Sequence, residues 1–218
     1  VAERRFGAAL APAVVAFWTR CSDALEAYPF HNHPLYLGPV QLGPANPLWE
    51  RSTGYRATMV GFPYDDLARW RAMYPAETYA DRYDEMADGF ERAMSDLAEA
   101  ARDAALDPVR TEAFAEQQRV TRACAIHFRS AANQARFILL RRSLEQARGD
   151  THGGAGVAPA DEAAFPDFAD KEALAIVDRI EAILLSERDL AVTLHEIQRR
   201  DSRIGFEASN QYHYTPMD

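Results

Sequence analysis

The sequence predicts a mainly α protein: a helical bundle of three or four long helices with an aromatic-rich arm packed on one end. Apolar residues recur every three or four positions over four long stretches, which is the period of an amphipathic helix. Pro and Gly are concentrated between those stretches, and no run of strands alternates with the helices. With 218 residues, the chain is long enough to bury a sizeable core as one domain.

The first two predicted helices precede and follow the arm. The first covers about residues 8–27 and ends before Pro29, because proline cannot continue a helix. The second follows "YPAE" and continues to about residue 105. The apolar faces are Val14, Val15, Trp18, Cys21 and Leu25 in the first, and Tyr79, Tyr83, Met86, Phe90, Met94, Leu97 and Ala101 in the second.

The third and fourth predicted helices form the second half of the chain. The third begins at Asp107-Pro108, an N-cap followed by proline at the first helical position, and runs to Arg148. At about 1.5 Å per residue it would be roughly 60 Å long. The fourth covers about residues 170–201, and its apolar face carries Ile176, Ile180, Ile183, Leu190, Leu194 and Ile197.

Three segments complete this single domain of residues 1–218. Residues 29–63 form an ordered, non-helical arm, because their many aromatics would not remain in water. Residues 149–169 are rich in Gly, Ala and Pro and are predicted to be a flexible surface connector, and residues 202–218 form a C-terminal segment. Cys21 and Cys124 match no metal-ligand spacing, and two buried free thiols are preferred to a disulfide.

Charge and hydropathy exclude two classes of partner. The chain has 33 acidic and 24 basic residues, a net charge of −9, so a nucleic-acid backbone would be repelled. The longest apolar stretch, "FGAALAPAVVAFW", is interrupted by Pro12 and is shorter than the about 20 residues that span a bilayer. We therefore expect no nucleic-acid partner, no membrane partner, and a cytoplasmic location.

The arm collects residue types that hold polyols. Sugar sites combine flat apolar rings with amide, imidazole or guanidinium groups around the hydroxyls. The candidate ligand-binding residues of the arm are His31, Asn32, His33, Tyr36, Asn46 and Trp49. The alternative is that the rings only pack and that "HNH" is a turn whose side chains bind backbone. No metal site and no cofactor are predicted, because "HNH" is followed at once by Pro34 and has no third ligand nearby.

Polar residues also interrupt the apolar faces of the third and fourth helices. His127 and Gln134 should be at least partly buried, either in an interhelical hydrogen-bond network or in a ligand wall. Glu187 is predicted to pair with Arg136 or Arg141, since a buried carboxylate without an arginine would have a raised pKa.

The C-terminal segment supplies a second candidate group: Arg203, Glu207, Asn210, Tyr212 and His213. Gly205 can close the fourth helix in a left-handed conformation, so the chain can turn back towards the arm. Asn210, Tyr212 and His213 would then join His31, Asn46 and Trp49 in one cluster. The alternative for Arg203 and Glu207 is a structural ion pair.

Three blocks, "YPFHNHPLYLGPVQLGPANPLW", "GFPYDDLARWRAMYP" and "RRDSRIGFEASNQYHYTPMD", resemble large bacterial glycoside-hydrolase-like proteins similar in general plan to α-glucuronidases. The resemblance implies a helical C-terminal domain that packs on a catalytic (β/α)-barrel and helps to close the site or a homodimer. It also implies that this chain is a fragment of a longer one. The barrel itself is absent, so no catalytic carboxylate can be assigned to any residue.

The favoured function is therefore a helical accessory domain that contributes polar and aromatic residues to the edge of a sugar site or to a domain interface. Its expected partners are a carbohydrate, including those with uronic acids, or a barrel domain of the same protein. The alternative is a freestanding helical protein–protein interaction module. A metal- or cofactor-binding bundle enzyme is least favoured, because the chain contains no Glu-x-x-His sequence. Whether the chain belongs to an enzyme is left open.

Overall fold

The architecture is that of a computed structural model, which describes residues 1–59, 61–147 and 171–204. These ranges contain seven α-helices and no strand, so the prediction of a mainly α protein is confirmed. The helices are α1 (Ala2–Phe6), α2 (Ala11–Leu25), α3 (Asn32–Tyr36), α4 (Leu67–Trp70), α5 (Ala76–Ala101), α6 (Pro108–Ala147) and α7 (Lys171–Arg200).

Helix α6 is the central element of the fold. It has 40 residues, packs against α5 on one side and α7 on another, and also contacts the arm. Helix α2 packs on α5. The four longest helices, α2, α5, α6 and α7, each lie within one of the four stretches that the apolar period marks.

Ion pairs reinforce the apolar contact between α5 and α6. Arg129 on α6 binds Asp84 with an N–O distance of 2.6 Å and also pairs with Asp88. Two helical turns further along α6, Arg136 binds Asp81 at 2.7 Å and also pairs with Asp84, which Arg129 binds as well. The guanidinium groups are only partly exposed, so water screens these pairs less than it screens fully exposed ones.

The predicted apolar face of the first helix is partly wrong. Val14 is fully buried as expected, but its neighbour Val15 and the later Leu25 are exposed, and Phe17 is buried instead. The physical reason is the short helix α1, which the sequence analysis did not predict. Phe6 of α1 and the inner face of α2 share one apolar cluster with α5, and this contact sets which side of α2 turns inward.

The arm, residues 29–63, was expected to be non-helical, and this expectation is wrong in part. The arm contains α3 and two 3-10 turns, Pro39–Gln41 and Gly43–Ala45, and the two turns pack on α6. Helix α3 begins at His31, whose Nδ1 accepts a hydrogen bond of 3.1 Å from the backbone N–H of His33. Imidazole capping of this kind is difficult to predict, because helix N-caps are usually Ser, Thr, Asp or Asn.

The two cysteines are free thiols, as predicted, although each is only half-buried. Burial raises the pKa of Cys21 to about 11, with a smaller contribution from Cys124. Both groups are therefore expected to stay protonated near neutral pH. The predicted connector at 149–169 lies outside the described residues, as does the C-terminal segment beyond Ile204.

Candidate functional site

Four aromatic rings meet on the surface of the arm, and we call them the aromatic patch: Trp49, Tyr55, Phe62 and Tyr64. Tyr64 is at the centre, with ring centroids 6.4 Å from Trp49, 5.2 Å from Tyr55 and 6.1 Å from Phe62. Three of the side chains are well exposed: Trp49 at 37%, Tyr55 at 66% and Phe62 at 41%. Clustered exposed aromatics are unusual on a soluble surface and mark a surface that binds something.

Tyr64 occupies a strained backbone conformation. Its φ is 51°, in the left-handed region that bulky side chains rarely adopt. Such a conformation costs about 1–3 kcal/mol and persists only where the surroundings hold it, and it is concentrated at functional sites. The backbone that carries the central ring is therefore held at an energetic cost, as is that of Ala72, whose φ is 50°.

A buried amide network holds Tyr64 from below. The Asn46 amide Nδ2 donates to the Tyr64 carbonyl at 2.9 Å and to Gln134 Oε1 at 2.7 Å. Gln134 in turn donates from Nε2 to the Gly43 carbonyl at 2.8 Å and to Ser130 Oγ at 2.9 Å. Gln134 on α6 thus binds the backbone directly at Gly43, and it reaches the backbone at Tyr64 through the side chain of Asn46.

A buried ion pair holds the other side of the patch. Arg141 Nη2 on α6 binds Asp65 Oδ2 at 2.7 Å, and its Nη1 donates to the Trp49 carbonyl at 2.6 Å. Both side chains are almost fully buried, at 6% and 5% exposed. Burial alone would raise the pKa of Asp65, but hydrogen bonds from Thr53 and Arg141 outweigh it and hold that pKa below its usual value.

Glu187 links α7 to the same network. Its carboxylate, 8% exposed, accepts from Ser130 Oγ at 2.7 Å and from Asn133 Nδ2 at 2.8 Å. The prediction that an arginine pairs with Glu187 is wrong for the described residues. Arg141 pairs with Asp65 instead, and Arg136 pairs with acids of α5. Burial therefore dominates and raises the pKa of Glu187 to about 7, although the two neutral donors oppose the shift.

His127 and Gln134 are partly or fully buried, as their places in the α6 pattern predicted. His127 Nδ1 lies 2.7 Å from the Val40 carbonyl, which requires the proton to be on Nδ1. Burial lowers the pKa of His127, and the bond to Val40 only partly offsets this effect. Both side chains bind the arm, and Gln134 is also joined to α7 through Ser130 and Glu187. The interhelical-network alternative therefore describes the contacts of Gln134 but not the bond from His127 to Val40.

The arm lies close against α6 at Gly43, and replacing this glycine should destabilise the fold. Its φ is 54°, and an added Cβ would lie 3.0 Å from His127 Nδ1. We expect Gly43→Ala to lower the free energy of unfolding by about 1–3 kcal/mol from backbone strain, with a further loss from the contact. Gly54→Ala is the matched control, since Gly54 has a φ of 65° and open space around it. Equal losses in urea denaturation of the two variants would show that the contact with His127 is unimportant.

The predicted arm residues have different environments. His33 Nδ1 lies 2.9 Å from the Arg69 carbonyl, and His31 caps α3, so both imidazoles bind backbone. Asn32 and Tyr36 are exposed on α3, and Asn46 is buried beneath the patch. Of the six predicted arm residues, Trp49 is the one with a place in the aromatic patch.

Of the predicted C-terminal site residues, Arg203 is the one that lies within the described part of the chain. Its guanidinium binds Asp201 Oδ2 at 2.6 Å and Glu116 Oε1 on α6 at 2.7 Å. The hydrogen bond from Arg203 lowers the pKa of Asp201 to about 2. The predictions for Glu207, Asn210, Tyr212 and His213, and their convergence on the arm, lie outside the described residues.

The sequence analysis did not single out Phe62, Tyr64 or Ser130 as site residues. The available signal was local: "GFPYDD" places one aromatic on each side of Pro63 at the end of the arm, directly before a pair of acids. Ser130 lies one helical turn before Gln134, which places both on the same face of α6.

Comparisons with family models, curated proteins and solved structures found no match to this chain. Within residues 1–59, 61–147 and 171–204, no cluster of His, Cys, Asp and Glu has the arrangement of a metal site. Over the same ranges, none of the helices combines the length and apolar character needed to cross a bilayer.

Proposed function

We propose that this chain is the helical accessory domain of a carbohydrate-active, glycoside-hydrolase-like protein, and that its aromatic patch contacts sugar at the edge of a binding site. The observation that carries the proposal is the set of three exposed rings around a strained, anchored Tyr64. A sugar presents C–H faces that stack on aromatic rings, and hydroxyls that bond to polar groups beside them. The Tyr hydroxyls and the Trp49 indole N–H supply such groups.

The geometry of the patch favours a sugar over a flat protein partner. The rings of Trp49, Tyr55 and Phe62 are tilted from the Tyr64 ring by 39°, 45° and 55°. They therefore present several ring faces at different angles instead of one flat apolar surface. The anchoring by Asn46 and Arg141 reduces the conformational entropy that the arm would lose on binding.

We assign no catalytic step to this domain. Glycoside hydrolysis usually requires two carboxylates flanking the scissile bond. Asp65, next to Tyr64, is already bound by Arg141 and Thr53, and Asp66 caps α4 and accepts from the Ala57 amide at 2.9 Å. In the proposal, a barrel domain of the same protein supplies the acid and base.

Titration calorimetry with a panel of xylo-oligosaccharides, cello-oligosaccharides and glucuronic acid tests this function. We expect binding by the wild type and a loss of about 3- to 10-fold in affinity for Tyr55→Ala, the usual contribution of one stacked ring. Tyr36→Ala is the matched control, because Tyr36 is also an exposed tyrosine of the arm, at 46%, and lies on α3 outside the patch. Equal affinity in Tyr55→Ala, or no binding by any sugar, would favour the alternative, a helical protein–protein interaction module.

A further inference from the structure

A second concave site lies between α5, α6 and α7, and we call it the arginine cleft: Arg119, Arg122 and Arg200, with Glu91, Glu196 and Met94. Its volume of about 480 Å³ falls within the range of sites that hold small molecules. It is separate from the aromatic patch. The cleft uses the part of α6 around residue 119, whereas the patch is anchored from residue 130 onwards.

Two arginines of the cleft, Arg122 on α6 and Arg200 on α7, are exposed, and they differ from the more buried arginines of α6. Arg129, Arg136 and Arg141 each bind carboxylates of the arm or of α5. By contrast, Arg122 and Arg200 form no ion pair with any residue in the described ranges. In a chain with a net charge of −9, two cations that lie in one concave site and have no ion-pair partner among the described residues favour an anion there.

Arg119 adds a buried donor to the cleft. Its Nη2 binds Glu112 Oε1 at 2.6 Å, but its Nε is buried and has no hydrogen-bond partner among the described residues. Buried polar atoms are usually satisfied, so this guanidinium N–H lacks an acceptor, and because the atom is closed to solvent the Arg119 side chain must turn before a ligand can meet it. A carboxylate fits, because its two oxygens match the paired N–H groups of guanidinium.

The acids of the cleft restrict the charge of the ligand. Glu91 also lines it and is held by Arg129 at a distance of 3.3 Å, while Glu196 forms no ion pair within the described part of the chain. Two carboxylates disfavour a dianion such as phosphate, but they can accept hydrogen bonds from hydroxyls. Apolar side chains, including Met94 and Ile197, line the same space and suit a carbon skeleton.

We propose that the arginine cleft binds a small hydroxylated monocarboxylate. The carboxylate lies against the guanidinium groups of Arg122 and Arg200, and the hydroxyls bond to Glu196 and to neighbouring polar side chains such as Thr193. The carbon chain lies over Met94.

Titration calorimetry with D-gluconate tests the proposal, with three comparison ligands. D-Glucitol lacks the carboxylate, butyrate lacks the hydroxyls, and inorganic phosphate carries more charge. We expect gluconate to bind most tightly, and Arg122→Gln and Arg200→Gln each to weaken it roughly tenfold, the usual effect of losing one charge-assisted hydrogen bond. Unchanged melting temperatures would show that both variants fold.

Arg188→Gln is the matched control for the variants. Arg188 is an exposed arginine on α7 that pairs with Asp189 outside the cleft, so its replacement should leave gluconate binding unchanged. Three results would overturn the proposal: no gluconate binding, glucitol or phosphate binding as tightly as gluconate, or an equal loss in Arg188→Gln. If both cleft variants prove unfolded, Arg122→Lys and Arg200→Lys replace them; these variants keep the charge but lose the paired N–H groups, and they must also bind gluconate more weakly.

Discussion

Arg141→Met should lower the free energy of unfolding by about 3–5 kcal/mol, because it leaves the carboxylate of Asp65 buried without its partner. The change also removes the hydrogen bond to the Trp49 carbonyl, so one side of the aromatic patch loses its attachment to α6. Urea denaturation measures the loss, and the Trp49 indole N–H signal in an ¹H–¹⁵N spectrum reports whether the arm has moved.

Arg142→Met is the matched control, since Arg142 is the next residue of α6 and is exposed. Surface changes of this kind usually alter stability by less than about 0.5 kcal/mol. The double variant Asp65→Asn with Arg141→Met removes both charges and should recover part of the loss. A loss of less than about 0.5 kcal/mol for Arg141→Met, no larger than that of a surface change, would mean that the ion pair does not hold the arm.

The second large effect concerns pH. Burial raises the pKa of Glu187 to about 7, from its ordinary value of 4.5, so folding favours the protonated acid. This contribution to stability is fully present below pH 4.5, diminishes above it, and is gone once the pH has risen through about 7. A shift of this size corresponds to a loss of about 3 kcal/mol, which urea denaturation across pH 4.5–8 would measure.

Glu187→Gln keeps the shape of the side chain and removes its ionisation. We therefore expect the variant to lose most of the stability change between pH 5 and pH 8, and to be more stable than the wild type at pH 8. Glu181→Gln is the control, because Glu181 is an exposed glutamate of the same helix. If wild type and Glu187→Gln have parallel stability curves, then folding does not raise the pKa of Glu187.

The long helices could be predicted because their packing repeats along the chain. Tyr79, Tyr83 and Met86 are spaced by three or four residues, and all three are fully buried on α5. The choice between Val14 and Val15 on α2 was not local, since it depends on contact with α1. The spacing of apolar residues therefore predicts that a segment is helical more reliably than it predicts which face of the helix is buried.

The support of the aromatic patch could not be predicted, because it depends on contacts between distant residues. Asn46 and Gln134 are 88 positions apart, and Arg141 and Asp65 are 76 apart. The sequence showed that Gln134 and Glu187 interrupt apolar faces, but not which partners they meet. The left-handed backbone at Tyr64 has no signature in residue type, because such a conformation normally indicates Gly or Asn.

The central claim, that the aromatic patch binds carbohydrate, is tested most directly by the three indole N–H signals in an ¹H–¹⁵N spectrum. Trp18 Nε1 donates to Gln117 and Trp70 Nε1 to the Pro63 carbonyl, so both are internal references, whereas Trp49 is exposed in the patch. On titration with the oligosaccharide panel, we predict that the Trp49 signal shifts in a saturable manner while those of Trp18 and Trp70 stay in place. A Trp49 signal that stays fixed at saturating sugar, or equal shifts of all three signals, would contradict the account.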